Sequence, residues 1–151
     1  MNKRTIIAAL AVFFLLPGLA AAGFTDNGNG TVTDTVTSLM WQQCSAGYSG
    51  AACLVSSPTV TYTWENAITY CEGLSLGGFT DWRLPNIKEL RSIVDSTKAA
   101  APAINATYFP ATISSFYWSS STTSSYTASA WLVYFNLGRT GNDNKTSYYY
   151  A

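Results

Sequence analysis

An α+β fold is predicted for this 151-residue chain by three features of its sequence. Short alternating segments punctuated by Asn-Gly turns open it, two amphipathic helical segments occupy its middle, and apolar period-two runs follow Pro110. Strands come first, then helices, then strands again, and this segregated order suits a mostly antiparallel, C-terminal-rich sheet with helices packed against it.

The first 22 residues are set apart from that fold. Lys3 and Arg4 precede the apolar stretch Ile6 to Leu16, Pro17-Gly18 breaks it, and Ala20-Ala-Ala22 ends it. This is the charge, hydrophobe and small-residue order of a secretory signal, with cleavage expected after Ala22. The apolar run falls short of the roughly 20 residues that span a bilayer, so no membrane insertion is expected after cleavage. Residues 23–151 then form a single domain that is secreted, periplasmic or on the cell surface.

Asn27-Gly28 and Asn29-Gly30 supply the positive φ of a tight turn, so Phe24 to Asp34 reads as a hairpin, followed by a strand carrying Leu39-Met-Trp41. Asp26, Asn27, Asn29 and Asp34 could also be imagined around calcium. The closing bidentate Glu of a known loop is absent, however, and turn chemistry accounts for each residue. Cys44 and Cys53 bracket a Ser/Gly/Ala-rich loop and are the preferred disulfide of an exported chain. Cys71 is left over, as a buried thiol or as half of a bond whose partner is missing.

The first helix runs from Thr63 to Leu74, with Thr63 as N-cap and Trp64, Ala67, Ile68 and Cys71 on one stripe. The second follows Asp81-Trp-Arg-Leu-Pro85. Asn86 and Glu89 have capping-box spacing there, and Ile87, Leu90, Ile93 and Val94 make the buried face. Three C-terminal strands are expected, at Phe116–Ser120, Ala130–Phe135 and Thr146–Tyr150, with Ser119–Ser129 a polar loop and Asn136–Lys145 holding turns. Trp131, Val133 and Phe135 should share one side of the middle strand, and Leu132 and Tyr134 the other.

Composition removes several classes of function. The chain has no histidine, and so lacks the commonest general base and the usual zinc ligand. Nothing resembles a Ser-x-x-Lys pair, and the eight carboxylates are absorbed by turns, caps and helix surfaces. No enzyme, cofactor or metal site is expected. Without Lys3 and Arg4, six basic residues face eight acidic ones, a net charge of about −2, so nucleic acid is not an expected partner. Arg83, Lys88, Arg91 and Lys98 lie close together in sequence and read as an ordinary solvated helix face.

What is left is recognition. Asn136, Arg139, Asn142, Asp143, Asn144 and Lys145 place amides and charges on turns beside Tyr149, the combination that carbohydrate or protein recognition uses. A polar turn over an aromatic core explains the same residues. The five tryptophans are read as core, and Trp118, beside the polar loop, is also offered to a ligand. The expected partner is a glycan or a host or surface protein, with a second copy of the chain as a further partner in a homo-oligomeric, structural or assembly role.

Phe24-Thr-Asp-Asn-Gly-Asn-Gly-Thr-Val-Thr-Asp34, Gly78-Phe-Thr-Asp-Trp-Arg-Leu-Pro-Asn-Ile-Lys-Glu-Leu90, Tyr117-Trp-Ser-Ser-Ser121 and Ala130-Trp-Leu-Val-Tyr-Phe135 together resemble the C-terminal domain of the Legionella collagen-like protein family. The resemblance spans Phe24 to Ala151 and implies a C-type-lectin-like domain used for bacterial surface attachment, in the named member through sulfated glycosaminoglycans. It also implies an Arg-Cys-Val-Arg-like ending where this chain has Tyr148-Tyr-Tyr-Ala151. The cysteine of such an ending is the natural partner of Cys71, so truncation is the expectation. The slightly negative net charge argues against glycosaminoglycan binding here. The Glu-Pro-Asn, Gln-Pro-Asp and Trp-Asn-Asp tripeptides of calcium-dependent lectins are absent.

Overall fold

The structure, a computed structural model, describes residues 23–50, 52–56 and 60–151; the expected signal segment lies outside them. It is α+β. Strands β1 (Phe24–Asp26), β2 (Thr31–Asp34) and β3 (Met40–Gln42) form an antiparallel sheet, and β4 (Tyr48–Ser49) pairs with β5 (Val55–Ser56). Helices α1 (Trp64–Glu72) and α2 (Ile87–Ser92) follow. A second three-stranded antiparallel sheet of β6 (Phe116–Thr122), β7 (Ser129–Tyr134) and β8 (Arg139–Asn144) closes the chain, in that order.

The hairpin forms where Asn-Gly chemistry predicts it. Gly28 sits at φ 72° and donates its N–H to Asp26 Oδ1 at 2.8 Å. At the β2–β3 turn the buried Asp34 carboxylate accepts the N–H groups of Val36 and Thr37 and the Thr37 hydroxyl. Cys44 and Cys53 are bridged, as expected.

Both helices start at their expected caps. Thr63 Oγ1 accepts from Asn66 N, and Ala67 is fully buried at the centre of the stripe, with Trp64, Ile68 and Cys71 packed around it. Asn86 and Glu89 close a capping box, and Arg83 grips the Glu89 carboxylate with two N–H bonds of 2.8 and 2.7 Å. Ser121 Oγ accepts the Ile87 N–H, so β6 also caps α2.

The core has two parts, one on each face of β7. Val133 and Phe135 join Val32, Leu90, Ile93 and Phe109, whereas Ala130 and Leu132 join Ala67, Leu84 and Trp118. The period-two alternation of β7 therefore fills two cores at once.

One strand expectation is corrected. The third strand of the C-terminal sheet is Arg139–Asn144, assigned to turns from the sequence, and not Thr146–Tyr150. Gly138 at φ 64° makes the turn into β8, and a Cβ there would come within 2.8 Å of Val94 Cγ1. Tyr149 instead bridges Tyr62, and Tyr150 forms a parallel bridge to Tyr117 on the far edge of β6. In the aromatic run Tyr150 is buried, Tyr149 is half-buried and Tyr148 is exposed, and polar β8 is the solvent edge, where polar residues suit a strand. β6 also extends to Thr122, so the polar loop starts later than expected.

Replacing Cys44 and Cys53 together by alanine should lower stability by about 2.5 kcal/mol, the chain-entropy value for so short a loop. Chemical denaturation of the oxidised protein and the double variant measures it.

Candidate functional site

Strand β8 sorts the residues proposed for recognition onto two faces. Register pairs Trp131 with Asn142 and Val133 with Thr140 on one face, and Leu132 with Gly141 and Tyr134 with Arg139 on the other. Asn144, opposite Ser129, shares the Trp131 face, and Asp143, opposite Ala130, lies on the α1 face.

On the α1 face the polar groups satisfy one another. Asp143 Oδ2 accepts the Tyr149 hydroxyl, and Asp143 Oδ1 accepts the Asn144 N–H at 2.6 Å. The Tyr149 bond holds the Asp143 carboxyl below its ordinary range, and the same bond pushes the Tyr149 phenol up to about 12. Lys145 Nζ lies 4.0 Å from the centre of the Trp64 ring, and Trp64 N donates to the Lys145 carbonyl. Asn136 Nδ2 donates to Tyr134 Oη at 2.6 Å, and Tyr134 stacks on Phe116. Asp143, Lys145 and Asn136 are thus joints of the fold. Arg139 is exposed at the start of the strand.

The other face is covered at Val133 by α2 and the N-terminal sheet, and becomes accessible toward Trp131. Trp131 is half-buried and belongs to neither core cluster. Asn142 stands exposed directly opposite it, and among the described residues its amide makes no hydrogen bond. Asn144 and Thr140 flank it, both exposed; Asn144 Oδ1 is taken by the N–H and hydroxyl of Thr146. An indole plane beside a free amide donor and acceptor can stack on an apolar face and bond to adjacent hydroxyls.

Trp118 is corrected from a ligand contact to a core residue: it is 1 % exposed and donates its indole N–H to the Tyr62 carbonyl at 2.9 Å. Trp131, read as core, is the aromatic surface that sequence reasoning missed. Alternation places it with Val133 and Phe135, and only its pairing with Asn142 distinguishes it.

Cys71 is a free thiol on the inner side of α1, and burial pushes its pKa up to about 12. Among the described residues no three His, Cys, Asp or Glu side chains are grouped to hold a metal, and no helix is long and apolar enough to cross a membrane.

Fold and surface together define a small disulfide-stapled α+β domain with an open indole and amide face on its C-terminal sheet. The chain belongs to the Lcl C-terminal domain family, whose model matches residues 30–151. Neither the curated proteins nor the solved structures contain a match.

Two outcomes follow. Tyr149→Phe should raise the Asp143 carboxyl toward its ordinary value. The contribution of this pair is present above about pH 4 and lost on acidification. Tyr149 contributes below pH 10, a share lost as pH rises toward 12. NMR titration of the Asp143 carboxyl in parent and variant reads the first, and the phenol absorbance titration of the parent minus that of the variant reads the second. For Cys71, iodoacetamide at pH 8 should label the native protein negligibly and the unfolded, unreduced protein once, as counted by mass spectrometry.

Proposed function

We propose that this chain is a secreted or surface-exposed, C-type-lectin-like binding domain that recognises a neutral glycan and performs no catalysis. The observation that carries the reading is the half-buried Trp131 with the unengaged Asn142 amide opposite it on the sheet. A sugar ring presents an apolar C–H face and flanking hydroxyls, which is the complement of an indole plane and a carboxamide. The charged side chains Asp143 and Lys145 are occupied within the fold, and the domain carries slight negative charge, so an anionic polysaccharide would find little attraction.

Family membership, the signal-like N-terminus and the Cys44–Cys53 bridge all suit an exported domain. The absence of histidine supports binding without catalysis. A second reading, an assembly role, draws on the open edge of β8, to which a second copy could add a strand.

A glycan array followed by calorimetry tests the proposal. Binding to a neutral glycan should fall at least about tenfold in Trp131→Ala and in Asn142→Ala, the loss expected when a stacking plane or a hydrogen-bonding pair is removed. The far-UV spectrum should be unchanged, and Lys88→Ala should bind as the parent does. Absence of binding to any neutral glycan, together with an obligate oligomer in sedimentation, would favour the assembly reading instead.

A further inference from the structure

A second feature, sharing no residue with the Trp131 face, is a cavity partly open to solvent. This cavity, of about 340 Å³, separates β3 and the residues after it from α2, the end of α1, Tyr117 and Trp118 of β6, and Phe135 just after β7. That volume lies within the range of small-molecule sites. Its walls are mainly apolar, with Trp41, Leu74, Leu84, Leu90, Ile93 and Phe109 among them.

The polar side chains of the wall are almost all engaged elsewhere. Trp118 Nε1 donates to the Tyr62 carbonyl and Trp82 Nε1 to the Leu76 carbonyl. Tyr117 Oη is shared with Ser45 Oγ and accepts the Ile113 N–H. Gln42 is bonded to Tyr70, Gln43 to Asp26, Thr112 to the Phe109 carbonyl, and Arg83 and Glu89 neutralise each other. Asp81 stands exposed at the rim. The Trp41 indole N–H is different: its nitrogen is buried and has no hydrogen-bond partner, alone in this among the described residues.

A buried N–H without an acceptor costs about 1–3 kcal/mol. Native structures carry few such groups, and those that occur mark strain, function or a missing bonded partner. Here the orphan donor belongs to a residue that lines a mainly apolar cavity whose one lining cation, Arg83, is paired with Glu89 and whose remaining lining acid, Asp81, lies exposed at the rim. The ligand chemistry follows: apolar bulk to fill the space, no net charge, and one acceptor oxygen.

We propose that this cavity binds a small neutral, largely apolar molecule whose single acceptor oxygen takes the Trp41 indole N–H. Acetophenone and ethylbenzene have nearly the same shape and differ in the carbonyl oxygen, so they isolate that bond. Each is titrated into the ¹⁵N-labelled full chain, following the five indole N–H resonances.

Acetophenone should shift the Trp41 indole resonance downfield and bind roughly five- to tenfold more tightly than ethylbenzene, the equivalent of one net hydrogen bond. The Trp131 resonance should stay still. Benzoate, which brings an uncompensated charge, should bind more weakly than acetophenone. In Trp41→Phe the two neutral probes should bind equally. Equal affinities in the parent protein, or no movement of Trp41 at millimolar probe, would overturn the proposal without any variant having to fold. Neither result bears on Trp131, so this site and the glycan face succeed or fail separately.

Discussion

Strand β7 is buried on both faces, and much of the domain's architecture follows from that constraint. A half-buried strand needs one apolar face, whereas Ala130, Leu132, Val133 and Phe135 require cover on two sides. Cover comes from Ala67 of α1 and Leu84 on one side, and from α2 with Val32 of the N-terminal sheet on the other. Because β7 is the central strand, β6 and β8 can differ in character. β6 carries Tyr117 and Trp118 into the two cores, and β8 needs only to satisfy the β7 backbone. A strand reading Arg-Thr-Gly-Asn-Asp-Asn is therefore stable in the sheet and polar at its surface.

Local chemistry was legible in the sequence and long-range pairing was not. The Asn-Gly hairpin, both N-caps, the Asn86–Glu89 box and the Cys44–Cys53 bridge depend on residues within about ten positions of each other, and each is found where the sequence predicts it. The third C-terminal strand depends on which segment meets β7. Aromatic alternation at Thr146–Tyr150 reports burial, which Tyr150 does have, but burial can be reached through one bridge to Tyr117 without extending the sheet. The candidate site inherits the same limit. The cluster at 136–145 was visible as a polar patch, yet its division into joints and an open face follows from the register with β7, which no local signal encodes. Trp118 and Trp131 exchange roles for the same reason.

Two of the three charges of that patch, Asp143 and Lys145, act within the chain. Asp143 with Tyr149 and Lys145 with Trp64 tie the end of β8 to the chain terminus and to α1, where exposed ion pairs would have contributed little. Engaging them locally leaves the Trp131 face with neutral hydrogen-bonding groups. The association proposed there would rest on shape and short-range bonds, so ionic strength should matter far less than for a surface that collects a polyanion.

The same separation of polar and apolar duties explains why a cavity lies beneath the N-terminal sheet. That sheet sends Val32 and Phe24 into the core, where Phe24 meets the edge of Phe109. Trp41 packs beside them, and polar bonds add further attachments: Asn29 to the Gly77 carbonyl, Gln42 to Tyr70, and, from the loop that follows, Ser45 to Tyr117. Directional bonds fix their partners at set distances and cannot slide to close a gap as packed methyl groups do. With the rim held by such bonds, β3 is kept off α2 and the space between them stays open. Trp41, halfway along β3, is the large side chain that reaches into this region, and its ring covers apolar neighbours while its N–H finds none of the carbonyls that satisfy Trp64, Trp82 and Trp118. A rim that fixes the spacing and a donor left unpaired within it are two consequences of one mode of docking. They give the cavity both its volume and the single polar preference that a ligand would have to meet.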